Sequence, residues 1–327
     1  MSSIMTNASA MTALKSLNAT NKALQTTQGR IATGFRVAEA SDNAAYWSIA
    51  TTMRSDNKAL STVKDALGLG AAKVDTAYTG MKAAIDVVDE IKTKLVAARE
   101  PGVDKAKIQA EITQLQGQLT ATADASSFSG ENWLSVKSDD VGYNSAKTVV
   151  ASFTRDSSGG VSIGTVEIET STTKLFDANA TKGTGGATVG GGGTGILDAV
   201  RSTTDGSRVA DQSTAGFTVA NIDISALTNS TADTTTLESY IKGVDAAISE
   251  MTTAAADLGA AKKRIDMQSE FVSNLMDTID RGVGTLVDAD MNKESTRLQA
   301  LQVQQQLGIQ ALSIANSNSQ SILSLFR

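Results

Sequence analysis

Leu237–Leu286 reads LESYIKGVDAAISEMTTAAADLGAAKKRIDMQSEFVSNLMDTIDRGVGTL. Its apolar positions advance by alternating fours and threes: Leu237, Ile241, Val244, Ile248, Met251, Ala255 and Leu258. The same seam continues through Ile265, Val272, Leu275, Ile279 and Leu286. A repeat sustained over this many heptads makes a long helix with one narrow apolar seam. An equivalent repeat stands near the other end, at Ala10, Leu14, Leu17, Leu24 and Ile31, with Asn21 and Gln28 in polar registers. It resumes at Ile49, Met53, Leu60, Val63, Leu67, Val74, Ala77 and Met81. A lone helix cannot bury such a seam, so each end needs a partner. The chemistry legible here is assembly.

Composition agrees. The chain has 327 residues, 4 % aromatic, with one proline, no cysteine and no histidine. That length admits one large domain or two to three small ones. Narrow helical cores need few aromatics, and with Pro101 alone to break them helices can run long. Thiolate and imidazole catalysis are excluded, as are ordinary zinc and haem sites, and no disulfide supports the fold. The net charge of −6 and the absence of a basic stripe argue against a nucleic-acid partner. No segment reaches the roughly 20 apolar residues that span a bilayer. The N-terminus also lacks the basic and apolar regions of a cleavable signal. On residues alone that reads as cytoplasmic, unless export reads an uncleaved terminus.

Along the chain, residues 1 to about 34 read as a helix that Gly29 and Gly34 interrupt or end. Arg30–Ala45 reads as a connector, with Ser41 or Asp42 as N-cap of a helix from about Asn43 to Glu100. Pro101-Gly102 stops it, and Asp104 caps another helix with a seam of Ile108, Ile112, Leu115 and Leu119. A turn this short predicts antiparallel packing. From Ser126 the pattern changes. Val149–Ile168 predicts strands around a turn at Asp156–Gly160, and Phe217–Ile224 predicts one more. Between them the chain is rich in Thr, Gly and Ser. Helix resumes near Thr236, with a break at Gly282–Gly284. The expected fold is mainly α: a long coaxial, coiled-coil-like bundle from both chain ends, with a small β-containing insert projecting from its far end.

Few motifs carry other chemistry. Gly190, Gly192 and Gly195 satisfy GxGxxG, but any glycine run does, and the strand and helix that a dinucleotide site needs are missing. A flexible surface loop is the better reading. Asp86, Asp89 and Glu90 share one helix face without a partner base, which describes a solvated rod. Asn179 and Asn229 head Asn-x-Ser/Thr triplets, expected by chance in so Thr-rich a stretch. The residues therefore predict no catalytic group, cofactor or metal. The sharper pattern is at the ends. Ala8, Ala10, Ala13, Ala19 and Ala23 leave the first helix small-sided, so that neighbours can approach closely. The last helix carries Leu298, Leu301, Leu307 and Leu312 among glutamines and runs out in Ile322-Leu323-Ser324-Leu325-Phe326-Arg327. An apolar tail of this kind marks an interface. The expected polymerisation seams are Leu14, Leu17, Leu24, Ile31, Leu298, Leu301, Leu312, Leu325 and Phe326.

At these residues the chain resembles bacterial flagellin. Arg30-Ile31-Ala32-Thr33-Gly34-Phe35-Arg36-Val37 with Ala40, Asp42, Asn43, Ala44 and Ala45 is similar to the family's stretch between its innermost and next domains. Ile108–Ile112 and Phe128–Gly130 resemble its second outer helix and the hairpin after it, and Ala315–Arg327 its terminus. The likeness covers roughly residues 1–140 and 235–327. It implies a secreted filament subunit for swimming motility, exported by the flagellar type III apparatus and held beforehand by a chaperone at the C-terminal helix. Its partners would be copies of itself and the filament's cap and junction proteins. It implies an inner domain from 1–40 and 286–327, an outer helical domain with a β-hairpin from 41–137 and 235–285, and a variable solvent-facing insert at 138–234. Less favoured alternatives are a hook–filament junction protein and a scaffold whose insert is an adhesin or enzyme. One departure from the family matters. Flagellins sensed by the vertebrate Toll-like receptor carry an arginine in the stretch aligned with Val88–Leu95, and Glu90 stands there instead, which implies evasion.

Overall fold

The computed structural model describes residues 7–138, 140–156, 158–177, 194–209 and 216–325, with only the backbone of 318–325. Five α-helices dominate them: α1 Ala8–Thr33, α2 Ala44–Ala97, α3 Lys105–Ala125, α4 Thr231–Val287 and α5 Met291–Leu325. The strands lie between α3 and α4: β1 Ser127–Phe128, β2 Glu131–Asn132, β3 Ser135–Val136, β4 Ala146–Arg155, β5 Val161–Glu169 and β6 Phe176–Asp177. The fold is mainly α with a small strand-containing middle. Two compact units divide the chain. One holds the residues up to Ala59 and from Leu275, the other Leu60–Asn274.

In the second unit the sequence seam becomes the core. Leu60, Val63, Leu67, Val74 and Met81 of α2 are buried, as are Leu237, Val244, Met251, Leu258 and Ile265 of α4. Polar pairs along the flanks set the register of these helices. Lys64 donates to Ser273, and Asp75, Lys92 and Arg99 pair with Lys262, Asp245 and Glu238. Advances of 11, 17 and 7 residues along α2 are met by equal retreats along α4, so the antiparallel register does not slip. Pro101-Gly102 turns the chain, and Asp104 caps α3 by accepting from the amides of Ala106 and Lys107. The Lys94–Glu111 pair at 2.6 Å then bridges α2 and α3 across that turn.

The middle is bound to these helices. β4 and β5 form an antiparallel hairpin closed by Asp156, whose carboxylate accepts from the amides of Ser158 and Gly160. A two-stranded hairpin is marginal alone. This one seats Val149 where a Cβ at Gly70 would overlap it, and Gln268 donates to the Ala151 carbonyl at 2.9 Å. The strand expected over Phe217–Ile224 is instead one bridge at Phe217 followed by a 3₁₀ turn, Val219–Asn221. Side chains of α3 take the backbone groups that a strand partner would have taken. Gln109 receives the Ile224 amide and donates to the Ile222 carbonyl, and Gln116 donates to Val219 and Ile222.

Three boundaries also differ from expectation. Asn43, not Ser41 or Asp42, caps α2 by accepting from the Tyr46 amide, while Asp42 closes the connector on the amides of Ala38 and Glu39. α4 begins earlier than Thr236. Ser230 caps it by accepting from the Asp233 amide, and the Asp233 carboxylate reaches back to accept from the Thr228 amide. The helix then passes through Gly282–Gly284 and ends at Val287. Each glycine costs about 1 kcal/mol in a helix. Val283 and Val287 offset that by packing in a cluster with Val37 and Ala50. The real break is where Asp290 caps α5 on the amides of Asn292 and Lys293.

Candidate assembly surface

In the first unit, the connector between α1 and α2 crosses the connector between α4 and α5. Gly34 ends α1 in the left-handed region, φ 76°, with its amide on the Arg30 carbonyl. Positive φ is open to glycine at no steric cost. Beyond it, the Arg36 and Val37 amides donate to Val287, and the Ala289 amide donates to Gly34. Arg54 covers the Phe35 ring at 4.6 Å. The stretch Arg30–Val37 is therefore a crossing where three backbone hydrogen bonds tie two chain segments. Its first four residues belong to α1 rather than to the connector.

From this crossing α1 and α5 run side by side. Among the described residues they are the only helix pair whose Cα atoms approach within 8 Å along an extended run. Small residues permit that approach: a Cβ on Gly308 would stand 3.2 Å from Leu17 Cδ1. Polar bonds fix an antiparallel register. The Asn7 side chain caps α1 and donates to the Ala315 carbonyl at 2.9 Å, and Gln305 donates to Asn21 at 2.8 Å. Arg30 meets Glu294 at 3.3 Å, where the other Glu294 carboxylate oxygen is buried without a partner.

The predicted seam residues divide between two faces. Leu301 is buried, and Leu17, Leu24, Ile31, Leu298 and Leu312 are half-buried. Leu14 remains 47 % exposed. Leu325 lies in the α5 helix with its side chain outside the described residues, and Phe326, Asn179, Gly190 and Gly192 lie outside them altogether. Leu307 is the informative case, being 57 % exposed, together with Val303 at 55 % and Ile314 at 64 %. At 3.6 residues per turn these three share a stripe about 160° round α5 from Glu294, Leu301, Gln305 and Leu312. α5 thus has two apolar stripes, one turned to α1 and one to solvent. On α1, Met11 is likewise exposed. Seam reasoning passed over the outer stripe because a heptad repeat registers one face only. A second signal was present: from Leu298 to Phe326 no residue carries a charge.

Glu90 occupies a different surface, in the second unit. It is exposed on α2 beside Asp86 and Asp89, while Val87, Val88 and Ile91 turn inward. The adjacent cations are engaged. Lys92 is held above the ordinary lysine range by its hydrogen bond to Asp245, and Lys94 by its bond to Glu111. Asn229 is exposed just ahead of α4. Among the described residues no group of three or more acidic side chains could hold a metal, and no helix is long and apolar enough to cross a membrane.

Paired terminal helices with an outward apolar stripe define a subunit built to meet others. Comparison with known proteins makes that class specific. Residues 4–139 match the bacterial flagellin N-terminal helical region, and residues 241–326 match the bacterial flagellin C-terminal helical region. Flagellin C of Rhizobium meliloti (strain 1021) is 53 % identical over the whole of both chains. Flagellin A of Rhizobium meliloti is 48 % identical and a flagellin of Brucella melitensis biotype 1 is 46 % identical, each again over the full length of both chains. The chain belongs to the bacterial flagellin family. It is a structural subunit that polymerises into the extracellular flagellar filament for swimming motility.

Proposed function

We propose that polymerisation runs through the first unit and uses both apolar stripes of α5. The inner stripe, with Leu298, Leu301 and Leu312, closes on Leu17, Leu24 and Ile31 of α1. The outer stripe, with Val303, Leu307 and Ile314, is left for neighbouring copies, joined by Leu14 of α1 and by Leu325 and Phe326. The observation that carries this is the exposure of Val303, Leu307 and Ile314 on one line of α5, in a glutamine-rich stretch that from Leu298 carries no charge. Apolar patches of this kind mark interaction sites. A head-to-tail contact that does not close generates an open helix.

In this reading residues 1–40 and 286–327 form the inner part of the filament, 41–137 and 235–285 a surrounding helical layer, and 138–234 the variable, solvent-facing part. The subunit has no catalytic role. It leaves the cell through the flagellar type III apparatus, with a chaperone on the C-terminal helix before export and cap and junction proteins at the filament's ends. Glu90 replaces the guanidinium that a Toll-like receptor would engage, and a carboxylate donates none of its hydrogen bonds.

The test is truncation. Chains lacking residues 1–34 or 290–327 should retain the helical signal of the second unit and form no filaments. Normal filaments from either truncation, seen by negative-stain microscopy, would refute this assignment.

A further inference from the structure

At the base of the insert, β6 pairs in parallel with β3, and the turn 194–200 is stitched to it. The Ile196 and Leu197 amides donate to the carbonyls of Lys174 and Leu175. Gly195 lies so close that a Cβ would stand 2.7 Å from Asp198 Oδ1. Two carboxylates meet here on unequal terms. Asp177 is 2 % exposed and well supplied: it accepts from Lys174 Nζ at 2.6 Å, from the Ser138 amide at 2.9 Å and from Thr194. Asp198 accepts the Asp177 amide on Oδ2 at 2.6 Å, while its Oδ1 is buried with no partner. Lys174 donates to Asp177 and Thr194. Among the described residues, the elements packed around also bring the charged groups Arg201, Arg208 and, on α4, Glu250. Glu250 is engaged by both arginines, at 3.1 and 3.8 Å.

A buried carboxylate with one orphaned oxygen beside a second carboxylate is costly when charged, and binding a proton relieves it. We propose that Asp177 and Asp198 form a proton-operated knot, which tightens the base of the insert in mild acid and loosens it as the medium becomes neutral or alkaline.

The titration of the two groups agrees with the geometry. Burial, with the nearby Asp177 charge, outweighs the bond from the Asp177 amide, the nearby Gly195 amide and the Lys174 charge and pushes the Asp198 carboxyl up to about 6. For Asp177, burial works upward too, but the bonds from Lys174, Thr194 and Ser138 outweigh it and bring the group down to about 2. A carboxyl raised in the folded state contributes stability that is complete below its unfolded value, about 3.9, and is lost as pH rises through the folded value. Asp177 acts in reverse: its contribution is present above about 3.9 and disappears as pH falls towards the folded value. The knot is tightest between these limits.

The experiment is amide hydrogen exchange on the full-length monomer, corrected for intrinsic rates, at the amides of Asp177, Ile196 and Leu197. Local opening should rise about tenfold between pH 5 and pH 7.5. Asp198→Asn, neutral and of the same shape, should remove that dependence and keep the pH 5 level of protection at pH 7.5. Wild-type protection that is flat over this range, or an unchanged slope in the variant, overturns the proposal. If the variant does not fold, the ¹³C carboxyl titration of Asp198 in the wild-type chain decides: a midpoint near pH 6 supports the knot, and one below about 4.5 refutes it.

Discussion

Leu307→Asp isolates the outer stripe from everything that holds the monomer together. Leu307 is 57 % exposed and makes little use of its side chain within the chain. The monomer should therefore keep its circular dichroism, and its stability should stay within about 0.5 kcal/mol of wild type, as for a surface change. In the filament the same position is to be covered. Complete burial of a leucine side chain is worth about 1.5–3 kcal/mol, so covering the exposed part contributes about 1–2 kcal/mol. An aspartate there forfeits that gain, and an unpaired carboxylate adds several kcal/mol of desolvation. A combined loss of about 4 kcal/mol raises the critical concentration about a thousandfold, at 1.4 kcal/mol per decade. The assay is sedimentation of filaments grown from seeds over a concentration series. Leu301→Ala is the counterpart: Leu301 is 9 % exposed, and its truncation should destabilise the first unit of the monomer by about 2–4 kcal/mol. If Leu307→Asp assembles at the wild-type critical concentration, the outer stripe is not a contact and the reasoning fails.

Gly70→Ala should cost the second unit about 1–3 kcal/mol, because the new Cβ meets the Val149 side chain. Gly68→Ala, with nothing within 4 Å, should instead gain up to about 1 kcal/mol of helix propensity; melts of the two variants in parallel decide, and equal shifts would contradict the packing described. Glu250→Ala leaves the fully buried Arg201 guanidinium, whose Nε and one terminal nitrogen already lack partners, without its carboxylate. Removal of one member of a buried pair costs about 3–5 kcal/mol, and Glu250 being 36 % exposed places this near the lower figure. Adding Arg201→Met should recover most of it in denaturant titrations. Monomer should activate Toll-like-receptor reporter cells orders of magnitude less than a sensed flagellin, and Glu90→Arg should restore little, since Lys92 and Thr93 also depart from the recognised stretch; strong activation by the unmodified chain would remove the role assigned to Glu90.

The long helices were legible because a 3.5-residue repeat has one structural meaning, and because Asp104, Pro101-Gly102 and Gly34 act through their own backbone preferences. The hairpin was legible for the same reason: Asp156–Gly160 is a turn by local chemistry. What escaped depends on partners distant in sequence. Phe217–Ile224 alternates like a strand, yet Gln109 and Gln116, more than 100 residues earlier, accept and supply its backbone hydrogen bonds. Gly282 and Gly284 look like a break, yet Val37 and Ala50 hold the helix through them. Ser41, Asp42 and Asn43 are all competent caps, and the choice of Asn43 follows from Asp42 being occupied by the amides of Ala38 and Glu39. The same limit applied to the assembly residues. A seam identifies apolar positions, but only the α1–α5 register separates Leu301, which faces α1, from Leu307, which does not.

The composition of α5 shows how one helix can live in two environments. A solvent-facing helix ordinarily carries charged residues on its outer face, and a helix buried on all sides is apolar throughout. From Leu298 onward α5 takes neither course: Leu298, Leu301 and Leu312 lie on one stripe, Val303, Leu307 and Ile314 on the opposite one, and glutamine, serine and alanine, with no charge, make up most of the rest. Glutamine is solvated well enough to keep the exposed helix in water. Unlike lysine or glutamate, it can be covered without stripping a charge of its hydration, because a buried amide needs only hydrogen-bond partners whereas a buried charge needs a counter-ion as well. Gln305 already demonstrates the covered state, donating to Asn21 across the α1–α5 contact. Gln302, Gln304, Gln306 and Gln310 are exposed and chemically equivalent, and a second copy that brought acceptors to them would repeat the same kind of bond.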